Sequence, residues 1–425
     1  HTMQFTPDPG APASEIVSMR VFSRHLSRLS RRAQLESAGG VTQFAEVLRL
    51  VKQTPDVVDL GQGFPDFEGN QVARDVAHFA VGSDVRLNQY TPPSGLPALH
   101  EAIASFNGRR WREELEPGVN TLVTAGGTEA IFSALIALCN PGDTVAFCQP
   151  FWPWYLPSIR LTGAVPAPLT LAPPDFKLNV DALRQLVRDR KPKVIITNTP
   201  HNPTGAVLSE ADLRAIAEIC VEHDVLAISD DVYDNVVFKA SGMYHLRLAD
   251  MPGMAERTLT VGSASKLFSL TGWRVGWLTG PADLIRGCAI VHQHATVCAP
   301  TPLQAGVAAA LDAEDGSYDG VPVLYESNYQ ALAEAFTDVG LRPCAAQGGY
   351  FLVLDAAASG LDDVAFSKDL IEKAGVAGMP MGGFYSEDQS EEEVAARRSL
   401  VRFAVCKSRA AVETAASRVR ERYKL

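Results

Sequence analysis

The sequence lacks the features that mark nucleic-acid-binding and membrane proteins. Acidic residues outnumber basic ones by 49 to 38, and the net charge of -11 disfavours polyanions and anionic bilayers as partners. The apolar stretch from Ala130 to Cys139 is too short to cross a bilayer. We therefore expect small-molecule substrates, with no nucleic acid and no membrane as partner.

Paired cysteines are also missing. The seven cysteines are far apart and include no CxxC pair, so the sequence indicates neither a metal site nor a disulfide framework. The first residues lack the charged-then-apolar layout of a signal peptide. A cytoplasmic location is the expectation.

What is present is enough chain for two or three domains, since 46% of the 425 residues are hydrophobic. We predict an N-terminal arm and the start of a small domain over residues 1–55, a large domain over 56–309, and a small C-terminal domain over 310–425. Five arginines between Arg20 and Arg32 are typical of a solvated helix or arm.

Extended and helical patterns alternate from about residue 95, which predicts an α/β fold. The apolar runs KVIITN (193–198), VLAISD (225–230) and TLTVG (258–262) are typical of buried parallel strands. Between the first two, Ser209 and Asp212 predict a capped helix that reaches about His223.

Polar residues follow each of these three predicted strands. They are Asn198, Asp230 and Ser263. Because ligands gather beyond the carboxyl ends of parallel strands, we expect these side chains to share one site.

Lys266 stands in the run SASKLFSLTGWRVGW (263–277), among small and apolar residues. Desolvation there favours the neutral, nucleophilic amine, which can hold an aldehyde as a Schiff base. The hydroxyls of Ser263 and Ser265 and the cation of Arg274 resemble anion ligands, so the aldehyde is expected to carry a phosphate. Pyridoxal 5′-phosphate (PLP) meets this description. If Lys266 is considered without the other motifs, the alternative interpretation is an ordinary lysine on a solvated turn.

A second predicted phosphate-binding segment is AGGTEA (125–130), which places Gly126, Gly127 and Thr128 between a strand and a helix. Backbone N–H groups and the helix dipole can meet a phosphate at such a junction. A tight turn without a ligand is the alternative, and Ser263 with Arg274 favours the phosphate.

The run SDDVYDNVVF (229–238) supplies an acid at a strand end and a tyrosine three residues later. A carboxylate facing the pyridine nitrogen keeps the ring protonated, and Asp230 is preferred for this role over Asp231. Tyr233 is expected to hydrogen-bond the phenolic oxygen. A helix cap or a surface acid is the alternative for Asp230.

Two further segments contain residues suited to the ring. Asn202 in NTPHNPTGAV (198–207) is a second donor to the phenolic oxygen, although Asn-Pro also starts turns. Trp152 in QPFWPWYLP (149–157) is a flat side chain that can stack on the ring, with a core position as the alternative.

NPTG, DDVY and SASK with a following GWRVGW occur here in one order and spacing. In these motifs the chain resembles fold-type I PLP enzymes of the class I/II aminotransferase group, and most closely the kynurenine aminotransferase / glutamine transaminase K subgroup. The resemblance implies a large domain with a mainly parallel sheet and helices on both faces, plus a smaller α+β domain. It also implies ping-pong transfer of an amino group between an L-amino acid and a 2-oxo acid.

The resemblance implies a role for each matching residue. Lys266 is then the Schiff-base lysine and the base that moves the Cα proton. Gly126, Gly127, Thr128, Ser263 and Arg274 hold the phosphate, Asp230 pairs with the ring nitrogen, Asn202 and Tyr233 meet the phenolic oxygen, and Trp152 stacks on the ring. Arg402 in LVRFAV, with Gly63 in GQGFPDF and Asn202, binds the substrate α-carboxylate.

Tyr90 in NQYTP matches a tyrosine that reaches the phosphate of the neighbouring subunit, which implies a homodimer with shared sites.

The chain departs from the subgroup where the substrate side chain is bound. SAGGVTQF (37–44) lacks the expected tryptophan, Val297 and Cys298 replace a Phe-His pair, and Gly349 replaces a serine. We expect a moderately large, apolar or elongated side chain, in either a broad or a specialised biosynthetic role.

Two other functions stay open. A PLP-dependent β-lyase or synthase can use the same scaffold. A non-catalytic regulator can use it as well, although no helix-turn-helix module is appended.

Overall fold

The computed structural model describes residues 30, 33, 41–313, 320–387 and 389–424. The predicted arm over residues 1–29, the five arginines between 20 and 32, and residues 37–40 of SAGGVTQF lie outside the described residues.

The α-helices follow the amphipathic and capping patterns of the sequence. They are α1 Val41–Gln53, α2 Gln71–Ser83, α3 Pro97–Trp111, α4 Gly127–Leu138, α5 Tyr155–Thr162, α6 Val180–Arg190, α7 Glu210–Glu222, α8 Ala264–Leu267, α9 Ala282–Thr296, α10 Thr301–Asp312, α11 Gly320–Asp338, α12 Asp363–Ala374, α13 Glu391–Arg397 and α14 Arg409–Arg422. The 3₁₀ turns are Val85–Asn88, Lys239–Ser241, Leu248–Asp250, Thr271–Trp273, Ala357–Ser359 and Gly382–Phe384.

The strands are short and mostly buried. They are β1 Val58–Asp59, β2 Thr121–Thr124, β3 Thr144–Gln149, β4 Val165–Thr170, β5 Val194–Asn198, β6 Leu226–Asp230, β7 Thr258–Ser263, β8 Gly276–Thr279, β9 Arg342–Pro343, β10 Phe351–Asp355, β11 Val376–Ala377, β12 Met379–Pro380 and β13 Leu400–Ala404.

A seven-stranded sheet forms the centre of the large unit, in the order β2-β8-β7-β6-β5-β3-β4. Its pairings are parallel except for those of β8 with β2 and β7, which are antiparallel. The predicted α/β fold with a mainly parallel sheet is therefore confirmed. The capping box of Ser209 and Asp212 is present at the start of α7.

Successive residues of β5 show that helices cover both faces of this sheet. Val194 and Ile196 pack in one hydrophobic cluster with residues of α4, α5 and α9. Ile195 packs on the opposite side with residues of α6 and α7. A strand buried on both faces explains the unbroken apolar run that the sequence shows here.

The C-terminal part contains a second, antiparallel sheet in the order β12-β13-β10-β9. The strand β1 lies near the start of the predicted large domain, yet it pairs in parallel with β11, and α1 packs against α12. The pairing of β1 joins residues 58–59 to the C-terminal part. The division at 55 and 309 stays a prediction.

The register of the large sheet brings the polar strand ends together. Asn198 at the end of β5 lies directly opposite Asp230 at the end of β6, and β7 ends at Ser263 beside them. None of the helices in the described ranges is long and apolar enough to cross a membrane.

Candidate active site

A cavity of about 430 Å³ lies at the carboxyl ends of these strands, against the C-terminal sheet. Residues from segments far apart in the sequence meet in it. The predicted site residues that line it are Gly63, Gly127, Thr128, Trp152, Asn202, Asp230, Tyr233, Ser263, Lys266, Arg274 and Arg402.

Lys266 lies on the short helix α8, directly after β7, and its amine points into the cavity. Nζ donates to the hydroxyl of Tyr350 and lies 5.7 Å from the centre of the Tyr233 ring. Burial lowers the pKa of the amine to about 8, and the cations of Arg402 and Arg274 act in the same direction. A substantial fraction is therefore neutral near pH 8, as a nucleophile requires.

Gly126 and Arg274 fit closely together at the start of α4. Gly126 has φ of 85°, and a Cβ built on it would lie 2.4 Å from Nη2 of Arg274. Only glycine leaves the guanidinium this close to the backbone N–H groups of the helix start. The two residues form a site where backbone donors and a cation meet.

Two hydroxyls converge on the same guanidinium. Nη2 of Arg274 lies 3.4 Å from Oγ1 of Thr128, and Nη1 lies 3.5 Å from Oγ of Ser265. The predicted phosphate ligand Ser263 instead accepts the backbone N–H of Ser265 at 3.2 Å and caps α8, while also lining the cavity. Ser265, whose hydroxyl the sequence also indicated as an anion ligand, belongs to this group.

Asp230 is buried with its two oxygens in different surroundings. Oδ2 accepts a hydrogen bond from the hydroxyl of Tyr155. Oδ1 has no hydrogen-bond partner in the described part of the chain. Burial raises the pKa of this carboxyl to about 6, while the Tyr155 hydrogen bond opposes the rise.

The structure separates Asp230 from the alternative, Asp231. The carboxylate of Asp231 accepts from Ser229 Oγ at 2.7 Å and lies 3.5 Å from Nε2 of His245, so it faces away from the cavity. Of the two acids, Asp230 alone is among the cavity-lining residues described.

Tyr233, Asn202 and Trp152 surround the space between Lys266 and Asp230. The Tyr233 ring packs edge-to-face on Tyr350 at 4.9 Å, and burial raises the pKa of its hydroxyl. Asn202 turns Oδ1 toward Arg402, which leaves Nδ2 to donate elsewhere. Trp152 lines the cavity and is half-buried, so a flat face is accessible for stacking.

Arg402 on β13 is a buried cation with spare donors. It donates to Gly61 O at 3.1 Å and to Asn202 Oδ1 at 3.3 Å, and Nε has no partner among the described residues. Its Cζ lies 4.0 Å from the Phe351 ring centre and 4.7 Å from that of Phe384. Burial lowers the pKa to about 10, so the group stays charged at neutral pH.

Gly63 lies beneath the aromatic side chains of the cavity. Its carbonyl accepts from the Tyr350 hydroxyl at 2.8 Å. A Cβ at this position would lie 2.7 Å from Cζ of Phe351, so the backbone passes where a side chain would not fit.

Some positions singled out in the sequence lie elsewhere. Tyr90 is 83% exposed and does not line the cavity of this chain. Val297, Cys298 and Gly349 are also absent from the cavity lining described for the single chain. Within one chain they do not form the substrate-side wall that the sequence predicts.

Sequence reasoning missed the roles of Tyr155 and Tyr350. Tyr155 occurs only within the run QPFWPWYLP (149–157), where Trp152 was singled out, but it lies behind Asp230 and bonds to it. Tyr350 directly follows Gly349 and was not singled out, although it contacts Lys266. Spacing carries no signal for either contact, because the partners are 75 and 84 residues apart.

Taken together, these residues fit PLP. Oδ1 of Asp230 is a buried acceptor that lacks a donor in the described ranges, which suits a protonated ring nitrogen. Thr128, Arg274 and the glycine turn suit a phosphate, and Lys266 suits an aldehyde.

Comparisons with known proteins point in one direction. Residues 55–419 match the family model described as aminotransferase class I and II. The chain is 40% identical over 371 residues to the Mycobacterium tuberculosis protein named "Probable N-succinyldiaminopimelate aminotransferase DapC", covering 86% of this chain and 92% of that one. It is 34% identical to kynurenine–oxoglutarate transaminase 1 of Rattus norvegicus, covering 92% and 99%.

Among solved structures, the chain is similar to N-succinyldiaminopimelate aminotransferase from Mycobacterium tuberculosis, with a TM-score of 0.85 at 38% identity. That match covers 92% of this chain and 99% of the other.

Proposed function

The chain belongs to the class I and II aminotransferases, a PLP-dependent family, and from that premise we propose that it transfers amino groups by a ping-pong reaction through Lys266. The substrates are an amino acid and an oxo acid, as for the family. The observation that carries the proposal is that Asp230, Lys266 and Arg402 line one cavity, with Oδ1 of Asp230 lacking a donor in the described chain. The transaminase names of the relatives favour transfer over a lyase or a regulator.

In this proposal the bound cofactor supplies an electron sink for the carbanion at the amino acid Cα. Lys266 would hold the cofactor through its aldehyde carbon. Once the amino group of the substrate has displaced it, the freed amine would take the proton from Cα and deliver it to that cofactor carbon. The contact with Tyr350 orients Nζ, and the lowered pKa keeps a fraction of the amine neutral.

The remaining polar groups hold the reactants in place. Asp230 accepts the ring N–H, Asn202 and Tyr233 donate to the phenolic oxygen, and Trp152 covers the ring. Gly126, Gly127, Thr128, Ser263 and Arg274 hold the phosphate. Two observations support this arrangement. All of these residues except Gly126 line the cavity, and Gly126 lies against Arg274.

We assign Arg402 to the substrate α-carboxylate. Its Nε, which has no partner in the described part of the chain, and its two weakly engaged terminal nitrogens can make a two-pronged contact. The Gly63 backbone and Asn202 complete this end of the cavity. Fixing the carboxylate here holds Cα near Lys266.

A homodimer is part of the proposal, with Tyr90 of one copy reaching the phosphate site of the other. The exposure of two apolar side chains supports the homodimer: Tyr90 is 83% exposed, and Val297 is 49% exposed. Sedimentation should give a dimer. Mixing a Tyr90→Phe chain with a Lys266→Ala chain should restore one complete site per hybrid.

We propose a neutral, moderately large substrate side chain. The cavity is lined by apolar groups that include Phe44, Leu48, Met379 and Phe384. Its cations within the described residues are Lys266, Arg274 and Arg402, which the cofactor and the α-carboxylate engage. A screen of amino acids by change in cofactor absorbance tests this assignment, and a clear preference for aspartate would contradict it.

Replacing the lysine tests the proposed function as a whole. Lys266→Ala should bind PLP without a covalent link, losing both transamination and the borohydride-reducible label on the peptide that contains residue 266. Lys373→Ala is the matched control, because Lys373 pairs with Asp369 on α12. A label that survives in the Lys266→Ala protein would refute the assignment.

A further inference from the structure

Tyr155 is a buried tyrosine at the start of α5 that the reaction as described does not use. It is 2% exposed, and its hydroxyl donates to Oδ2 of Asp230. The pairing leaves Oδ1 of Asp230 as the oxygen without a partner in the described residues.

We propose that Tyr155 is a positioning residue, which holds the Asp230 carboxylate with Oδ1 turned toward the ring nitrogen of the cofactor. The inference rests on the proposed function, in which Asp230 accepts the ring N–H.

Geometry supports the assignment, because a carboxylate otherwise rotates easily. The terminal torsion of an aspartate side chain is broad and roughly two-fold, so burial alone does not select an oxygen. One strong hydrogen bond to Oδ2 selects the rotation and presents Oδ1 to the cavity. A buried charge-assisted bond of this kind also holds its partner firmly.

The other charged groups near Asp230 do not perform this task. Asp231 is like-charged and raises the pKa of Asp230, and Lys266 acts on it only through its charge. Among the described side chains, Tyr155 is the one that donates a hydrogen bond to this carboxylate. The backbone of Val232 also hydrogen-bonds to the Asp230 carboxyl. Loss of the Tyr155 hydroxyl would therefore leave this carboxylate without a side-chain donor among the described residues.

The hydroxyl also affects the charge of Asp230. Burial raises the pKa of the carboxyl to about 6, and the bond from Tyr155 opposes this rise. Without the hydroxyl the pKa rises further, so more of the carboxyl is protonated near neutral pH. A protonated carboxyl is a poorer acceptor for the ring N–H.

Tyr155 contacts the predicted stacking residue too. Its ring packs edge-to-face on Trp152 at 5.5 Å. A phenylalanine keeps this packing, so Tyr155→Phe removes the hydroxyl with little change in shape.

The test compares the affinities of the apoenzyme for PLP and for 1-deaza-PLP, whose ring has carbon in place of the nitrogen. Both dissociation constants are measured by quenching of tryptophan fluorescence. The ratio reports the contact between Asp230 and the ring nitrogen, because phosphate, aldehyde and stacking contacts are common to both ligands. We expect a ratio of about tenfold or more in the unmodified protein, typical of a charged hydrogen bond.

In Tyr155→Phe the ratio should fall to below about threefold, as it should in Asp230→Asn. Tyr329→Phe is the matched control: it removes a hydroxyl that donates to Cys344 O at 2.8 Å outside the cavity, and it should leave the ratio unchanged. Placing p-aminophenylalanine at position 155 keeps the ring and a donor, and should restore the ratio.

The outcomes are distinguishable. A preserved ratio in Tyr155→Phe would overturn the inference, as would an equal loss of both affinities, which is what a purely structural role predicts. If the phenylalanine variant does not fold, a ratio that stays low with p-aminophenylalanine would also overturn it. Failure of the unmodified protein to bind PLP would instead refute the proposed function.

Discussion

Replacing Arg402 with methionine should separate activity from stability. Methionine has a similar length without the charge, so the space beside Phe351 and Phe384 stays filled. We expect loss of binding to the α-carboxylate and almost no change in the stability of the apoenzyme.

Two opposing effects determine the stability of Arg402→Met. The pKa of Arg402 lies at about 10 instead of 12.5, and this difference corresponds to about 3 kcal/mol of unfavourable burial. Removing its two hydrogen bonds, to Gly61 and Asn202, costs about 1 kcal/mol each. The net change should stay within about 2 kcal/mol, or roughly 2 °C in the apparent Tm of a chain of 425 residues.

The effect on activity is much larger. Two hydrogen bonds between a guanidinium and a carboxylate contribute about 4 kcal/mol together, so kcat/KM for an amino acid should fall about 10³-fold. The assay compares the half-reaction of an L-amino acid with that of its amine, which lacks the carboxylate. The unmodified protein should strongly prefer the amino acid, and Arg402→Met should lose most of the preference.

Arg397→Met is the matched control, since Arg397 packs over Tyr385 at 5.0 Å and does not line the cavity. It should keep the preference. The reasoning on Arg402 is refuted if Arg402→Met retains the discrimination, or if its Tm falls so far that the loss of activity follows from unfolding.

Two further predictions concern the cofactor site. Gly126→Ala should weaken the affinity for PLP at least tenfold, because the new Cβ meets Arg274 in addition to a backbone strain of about 1–3 kcal/mol. Gly142→Ala, with φ of 93° and open space around its Cβ, carries the strain alone, and equal fluorescence-measured affinities in the two variants would contradict the phosphate role. Because the pKa of Lys266 is lowered to about 8, the neutral amine predominates above that pH. The rate of covalent attachment of PLP to the apoenzyme should therefore be half-maximal near pH 8 and level off about one pH unit higher. A rate still rising at pH 10 in stopped-flow absorbance would show that the amine is not desolvated.

Site residues that lie close together in the sequence could be predicted from it. Lys266, Ser263 and Arg274 lie within one run, and Gly126 with Thr128 follows a strand, so the chain connectivity itself brings each group together. The parallel strands β5, β6 and β7 could also be predicted from a local pattern, because a strand that is buried on both faces has an unbroken apolar run.

Contacts between segments that are far apart in the sequence could not be predicted from it. Tyr155 meets Asp230 across 75 residues, and Arg402 meets Asn202 across 200. The pairing of β1 with β11 likewise joins residues more than 300 positions apart, which no local pattern indicates. Asp230 and Asp231 are neighbours in sequence, and only the direction of each side chain distinguishes them.

The sequence by itself therefore determined the chemistry, because the cofactor ligands occur in short segments where a strand end and the following turn fix their positions. The tertiary structure decided which oxygen of Asp230 is available, which tyrosine holds it and which residues line the substrate end of the cavity. These depend on how distant elements pack, and packing is set by the whole chain and not by any one segment.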